Sequence, residues 1–231
     1  DEAQTFGLVM SALAVTVLYL AGGWLAAALL AFTIFFYAVV YTMWLKRATP
    51  QNIVIGGLAG ALPPAVAWAG ATGSLGLDPA ILVAIIFFWT PPHFWALALY
   101  KAGDYEKAGV PMLPVVKGPR AARRGVMAYS LLLAPLGLAP VLTGLGGWLY
   151  AAVAIAMGGL FLLLAARVAN SRAGEAGTAQ GDDLYHVRRG DKAARDLFAF
   201  SILYLFGLYA ALLAEHGLGL YAATPFAGAG T

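Results

Sequence analysis

Long apolar stretches separated by short polar connections fill most of this chain. Seven such stretches, roughly 6–22, 24–45, 52–71, 79–100, 126–144, 147–168 and 196–215, each approach or exceed the length of a bilayer-spanning helix. About 20 apolar residues are needed for one crossing. None shows the strict alternation of a half-buried strand. The pattern therefore predicts an all-α integral membrane protein, a multi-helix bundle forming one domain over 1–231. The connection 170–194 is Gly-rich and poor in large apolar residues, and it reads as a flexible loop.

Composition agrees with the pattern. Hydrophobic residues make up 61% of the 231 residues and charged residues 11%, against about 25% charged in soluble domains. Cysteine is absent, which excludes disulfides, thiol chemistry and cysteine-based metal sites.

Charge placement then gives an orientation. All 14 Lys and Arg fall in alternate connections. Lys46 and Arg47 follow the second stretch. Lys101, Lys107, Lys117, Arg120, Arg123 and Arg124 follow the fourth. Arg167, Arg172, Arg188, Arg189, Lys192 and Arg195 surround the sixth-to-seventh connection. The other connections and the tail carry only Asp78, Glu215 and His216. Basic loops remain cytoplasmic, so the N-terminal end and the three basic connections are expected there, with the C-terminus opposite. A net charge of +3 is explained by this topology and calls for no nucleic-acid partner. Three basic loops at one end could also hold a diphosphate.

Within this frame Trp89–Gly118 stands out. Pro91, Pro92 and His93 lie at membrane depth, and Asp104 and Glu106 lie where the stretch meets the basic connection. Prolines and ionisable groups are costly in lipid. On a continuous helix, at about 100° per residue, Trp89, His93, Tyr100 and Asp104 share one narrow stripe. His93 is a candidate substrate or porphyrin contact, or else is hydrogen-bonded to a carbonyl freed by the prolines. Asp104 and Glu106 are candidate Mg²⁺ ligands through hard oxygen donors, or solvated interfacial acids. A second proline pair, Pro63–Pro64, predicts a kink in the preceding stretch. Gly56 and Gly60 there form a small-xxx-small packing pattern. Gln51 and Asn52 sit at its basic mouth, as substrate contacts or as helix caps. Aromatic residues concentrated in 32–44 and 87–95 could shield a carbocation or simply face lipid. His186, in the 170–194 connection, is read as solvated.

Three strings carry a resemblance: YTMWLKRATPQNIVIGGLAGALPP (41–64), FFWTPPHFWALALYKAGDYEKAGVPMLPVVKG (87–118) and FSILYLFGLYAALLAEH (200–216). Together they resemble the protohaem IX farnesyltransferases, or haem O synthases, a branch of the UbiA-type intramembrane prenyltransferases of the bacterial inner membrane. The resemblance runs from about Asp1 to His216. It implies a nine-helix fold with two polar cytoplasmic loops that bind Mg²⁺ and the prenyl diphosphate. It also implies transfer of a farnesyl group from farnesyl diphosphate to a haem B vinyl group, with haem B as substrate rather than cofactor. Asp104 matches the second acidic motif, with Tyr100 before it; Glu106 departs from the usual Asp-x-x-x-Asp spacing. Lys46 and Arg47 match a basic pair that contacts diphosphate. With Asp104 they are the expected catalytic residues, while His93, Tyr100, Asn52, Trp89, Lys101 and Lys107 are the expected substrate-binding ones. Proteins of haem A synthesis or oxidase assembly are the expected partners, beside the lipid bilayer. The first motif, Asn-x-x-x-Asp-x-x-x-Asp, does not occur in these residues. With the missing initial Met, that makes an N-terminal truncation of two helices the expectation, leaving seven of nine. Alternatives are a related prenyltransferase for a quinone or chlorophyll precursor, and a non-enzymatic transporter with broken helices. A transporter would be expected to show pseudo-symmetric halves, and no internal repeat is evident.

Overall fold

The computed structural model describes residues 2–175 and 190–224, and these are helices and connections without a strand. Six segments among them are long and apolar enough to cross a membrane: Glu2–Leu45, Asn52–Thr72, Leu77–Tyr100, Pro119–Thr143, Trp148–Ala169 and Lys192–Gly217. The count is six because the first two expected spans form one element of 44 residues. At 1.5 Å per residue such an element is about 66 Å long, twice the hydrocarbon thickness. It is broken where a connection is expected: Gly23 leaves helical geometry at φ 81°, ψ 176°, a conformation open to glycine and costly for other residues.

We number the elements α1 (Glu2–Phe35), α2 (Asn52–Ala61), α3 (Pro63–Thr72), α4 (Leu77–Tyr100), α5 (Ala102–Lys107), α6 (Leu113–Lys117), α7 (Pro119–Leu136), α8 (Ala139–Thr143), α9 (Trp148–Ala169) and α10 (Lys192–Gly217). Between α1 and α2 the chain widens into a π-helix, Phe36–Leu45. The Thr42 hydroxyl donates to the Tyr37 carbonyl at 2.8 Å, and the Lys46 N–H donates to the Tyr41 carbonyl at 2.8 Å. Both bonds span five residues, the π-helical spacing.

The two proline pairs act differently. Pro63 and Pro64 open α3 after Leu62, so the expected kink is a junction between two helices. Proline is tolerated in a first turn, where its missing N–H has no intrahelical partner. Pro91 and Pro92 lie inside α4, which runs through them without ending. The small-residue contacts also shift by one position. A Cβ on Gly56 would collide with the Tyr41 ring and one on Gly57 with Thr90, whereas one on Gly60 would meet open space. The close approach therefore uses Gly56 and Gly57, not Gly56 and Gly60.

The main core lies between α4, α7, α9 and α10, built on Ile85, Trp95, Leu99, Val126, Leu133, Tyr150, Phe161, Leu197, Tyr204 and Leu208. The first helix is the least covered: Phe6, Leu8, Val17, Leu20, Trp24, Phe32 and Phe35 are exposed, as a lipid-facing surface requires. An apolar cleft of about 410 Å³ lies between α1 and α3, lined by Leu18, Gly22, Leu30, Thr33, Val66 and Gly70 among others. It contains none of the candidate residues.

The end away from the basic connections is closed by one carboxylate. Glu215, fully buried, accepts the N–H of Gly147 at 2.7 Å and of Tyr150 at 3.0 Å. It thereby caps the start of α9 from α10, where N–H groups lack intrahelical partners and the helix dipole favours a negative charge. Tyr221 donates to the Gly144 carbonyl at 2.8 Å, and the His216 Nε2 bonds the Leu145 carbonyl at 2.7 Å. Glu215→Ala should lower unfolding free energy by roughly 1–3 kcal/mol, the cost of leaving buried donors unpaired. Thermal unfolding in detergent checks this, with Glu215→Gln expected to lose less.

Candidate functional site

At the basic end, the start of α2 packs against the end of α4 and the segment that follows. Ile53, Ala98 and Met112 form a small buried cluster, joined by Phe94, Tyr105, Val110 and Val115. Around this apolar floor stand most of the residues the sequence singles out. Lys46 and Arg47 are exposed and form no ion pair with the described acids. The π-helix delivers them to the rim, and the first residue of α2 bonds back to this turn. Asn52 is completely buried, and its Nδ2 donates to the Lys46 carbonyl at 2.9 Å. Its Oδ1 is buried without a hydrogen-bond partner. Asn52 thus acts first as the cap of this turn, leaving one acceptor unused beneath Lys46.

On the facing segment α4 ends at Tyr100. Lys101 has φ −114°, ψ 22°, and the short α5 begins at Ala102. The predicted stripe is therefore cut: Trp89, His93 and Tyr100 share a face of α4, whereas Asp104 belongs to the next helix. The Asp104 side chain is 66% exposed and lies 3.7 Å from the Lys101 ammonium. Glu106 and Lys107 are also exposed. Asp104 and Glu106 stand two apart on a helix, about 200° around its axis, so their carboxylates do not converge. No cluster of three potential metal-ligating His, Asp or Glu exists among the described residues. Asp104 thus offers one carboxylate to a metal–diphosphate, and Glu106 does not complete a pair with it. Between them Tyr105 has its phenol pKa raised by burial and by the Asp104 charge beside it, so it stays a hydrogen-bond donor at neutral pH.

The α4 stripe faces α10. The His93 ring lies between Trp89, with centroids 4.2 Å apart and planes at 20°, and Phe198, at 4.6 Å and 27°. Tyr100 meets the same Phe198 edge-on at 6.1 Å. His93 is 8% exposed, and its Nδ1 lies 2.6 Å from the Ser201 hydroxyl. It does not use a carbonyl freed by the prolines. The Trp89 indole donates to the Ser201 carbonyl at 2.7 Å. Ser201 and Phe198 lie more than 100 residues from His93 in sequence. Their one local signal is a single serine within the apolar run FAFSILYL.

The remaining basic residues divide into two groups. Arg123, only 6% exposed, donates to the Ala173 carbonyl at 2.6 Å and to Glu175 at 2.7 Å. Arg172 lies 3.0 Å and Arg120 3.9 Å from the same Glu175. Three of the arginines available for an anionic substrate thus gather on Glu175, and two of them, Arg120 and Arg123, tie α7 to the connection after α9. Arg195 pairs with its neighbour Asp196 at 2.9 Å. Of the aromatic residues offered as a shield, Phe32, Phe35, Tyr37 and Trp44 are exposed while Trp95 is buried, which favours a lipid-facing role for the first four. His186, Arg188 and Arg189 lie outside the described residues.

The UbiA prenyltransferase family model matches residues 1–181. The chain belongs to this family. It is 60% identical over 225 residues to a protein named protoheme IX farnesyltransferase from Maricaulis maris, covering 97% of this chain and 68% of that one. It is 63% identical over 227 residues to one of the same name from Caulobacter vibrioides, covering 95% and 68%. A third of that name, from Methylorubrum populi, is 59% identical over 226 residues, covering 96% and 66%. No solved structure matches the chain. Membership agrees with the all-helical, multi-pass fold and makes the basic end, where the family resemblance expects the prenyl diphosphate, the place to look for chemistry.

The Arg123–Glu175 clamp should respond to acid. The hydrogen bonds from Arg123 and then Arg172 hold the Glu175 pKa below its usual 4.5. Its contribution is present above the unfolded value and lost as pH falls through the lower folded one. Acidifying the wild type through this range should therefore loosen residues 170–175 from α7 and speed limited proteolysis there. Glu175→Gln should be cleaved readily already at neutral pH, with a flatter response to acid.

Proposed function

We propose that this chain transfers the farnesyl group of farnesyl diphosphate to a vinyl group of protohaem IX (haem B), with addition of water, giving haem O and diphosphate. The observation that carries this reading is identity of about 60% to proteins named protoheme IX farnesyltransferase over nearly the whole chain. The arrangement at the basic end suits the chemistry.

Ionisation of the allylic C–O bond leaves the electron pair on diphosphate and a cation on the farnesyl chain. Lys46 and Arg47, exposed and unpaired with described acids, can take up the charge that develops on the departing group. Lys101 and Lys107 extend the same rim. Family members generally use a metal ion with the diphosphate, and Mg²⁺ is the expected one; Asp104 offers one carboxylate toward it. Attack by the vinyl π bond on the allylic carbon forms the new C–C bond and moves the positive charge next to the porphyrin. Water adds to that carbon and loses a proton, leaving the hydroxyethylfarnesyl substituent. Tyr100 lies on the α4 face between this rim and His93, and Trp89 lies one turn beyond His93, which contacts haem.

We read the protein as lying in the bacterial inner membrane, with its N-terminal end and its basic end, which would meet the diphosphate, cytoplasmic and its C-terminus opposite. Proteins of haem A synthesis or oxidase assembly are the partners a haem O producer would hand its product to.

The test supplies membranes containing the full-length protein with haem B, farnesyl diphosphate and Mg²⁺, and detects haem O by mass. Lys46→Ala, Arg47→Ala and Asp104→Asn should each lower turnover by about 10²–10³-fold, as for loss of a group that stabilises transition-state charge. Glu106→Gln should lose less than tenfold. Flux of a solute in proteoliposomes without any prenylated product would overturn the reading.

A further inference from the structure

Ser201 makes three polar contacts while completely buried in α10. Its carbonyl accepts the Trp89 indole N–H at 2.7 Å. Its hydroxyl donates to the Phe198 carbonyl at 2.6 Å, three residues back on the same helix. The same hydroxyl meets the His93 Nδ1 at 2.6 Å. A serine hydroxyl carries one hydrogen, and a carbonyl oxygen can only accept. With that hydrogen directed at Phe198, the hydrogen between Ser201 and His93 belongs to Nδ1. A neutral imidazole carries a single N–H, so Nε2 keeps a bare lone pair in the plane of the ring.

The surroundings restrict how that lone pair can be used. Trp89 and Phe198 cover both faces of the ring, and Phe94 stands edge-on at 5.0 Å. Approach is therefore left to the edge, the direction along which a metal bonds imidazole. Nε2 makes no hydrogen bond to a described residue, and it is not among the fully buried unpartnered atoms, which are Asn52 Oδ1, Asp78 Oδ1, Trp95 Nε1 and Thr224 Oγ1. A haem propionate would need a donor and would meet an acceptor. Haem iron needs a lone pair and would meet one.

We propose that Ser201 is a positioning residue that holds His93 as its Nδ1–H tautomer, so that Nε2 binds the iron of the haem substrate and not a propionate. This rests on the reading that protohaem IX is the substrate. Partners of the distal nitrogen fix the tautomer and ring orientation of metal-binding histidines and raise their basicity, and losing one typically costs 10–100-fold in affinity. The Trp89 bond to the Ser201 backbone would keep the two helices in register when the hydroxyl is removed, which makes the hydroxyl separately testable.

The experiment uses the full-length protein purified in detergent, titrated with haem B and followed by absorption and resonance Raman spectra, with haem O production measured in parallel. The wild type should show a histidine–iron signature that His93→Ala abolishes. Ser201→Ala should weaken haem affinity about 10–100-fold and alter the iron–histidine band, while KM for farnesyl diphosphate changes little. Ser201→Thr, which keeps the hydroxyl, should stay within about threefold of wild type. Should Ser201→Ala fail to fold, His93→Gly supplied with imidazole should regain the signature with the wild-type hydroxyl present. The proposal is overturned if His93→Ala keeps the signature, if Ser201→Ala keeps wild-type affinity and band, or if imidazole restores nothing in His93→Gly. A wild type that makes no haem O overturns the functional reading instead, whatever the spectra show.

Discussion

The seam between α4 and α10 joins the core to the basic end, and it is held by hydrogen bonds that lipid could not replace. In hydrocarbon, a polar side chain without a protein partner costs several kcal/mol. Trp89 and His93 both satisfy theirs on Ser201, one on its carbonyl and the other on its hydroxyl. Phe198 adds a stacked face on the same ring. The register of α4 on α10 is therefore fixed by geometry finer than apolar packing alone would give. That register brings Tyr100, the last residue of α4, against Phe198.

Charge at the same end is divided by burial. Arg123 is enclosed and held by a carbonyl and by Glu175, so its cost of desolvation is offset locally. Lys46 and Arg47 remain in water, where a charge needs no partner and stays available to an anion. One type of residue thus serves two purposes, as a tie between α7 and the connection after α9 and as a site for developing negative charge. At the opposite end Glu215 shows the same economy with a negative charge, since a helix N-terminus is its counterpart.

Most of the fold was legible because each span has to meet its hydrogen-bonding needs within its own helix. The apolar lengths therefore predicted the helices closely, and the alternation of Lys and Arg predicted which connections lie together. The first span was the exception. Gly22–Gly23 reads as a connection, yet the chain stays helical on both sides of a single displaced residue, and Gly23 alone carries the break. Pro63–Pro64 and Pro91–Pro92 look alike in sequence but differ in position. One pair begins a helix and the other lies inside one, and proline's missing N–H does not decide between these. The stripe from Trp89 to Tyr100 was readable from helical spacing, but its extension to Asp104 assumed a helix that stops at Tyr100.

By itself the sequence determined the membrane-spanning helices, the segregation of charge, the family strings, and the local candidates Lys46, Arg47, His93 and Asp104. These depend on composition and spacing within single segments. Only the tertiary structure decided that Asn52 caps the Lys46 turn, that Glu175 gathers three arginines, and that Ser201 faces His93. Each of these depends on short-range directional bonds between groups that local spacing does not pair, and linear order does not encode which polar groups meet.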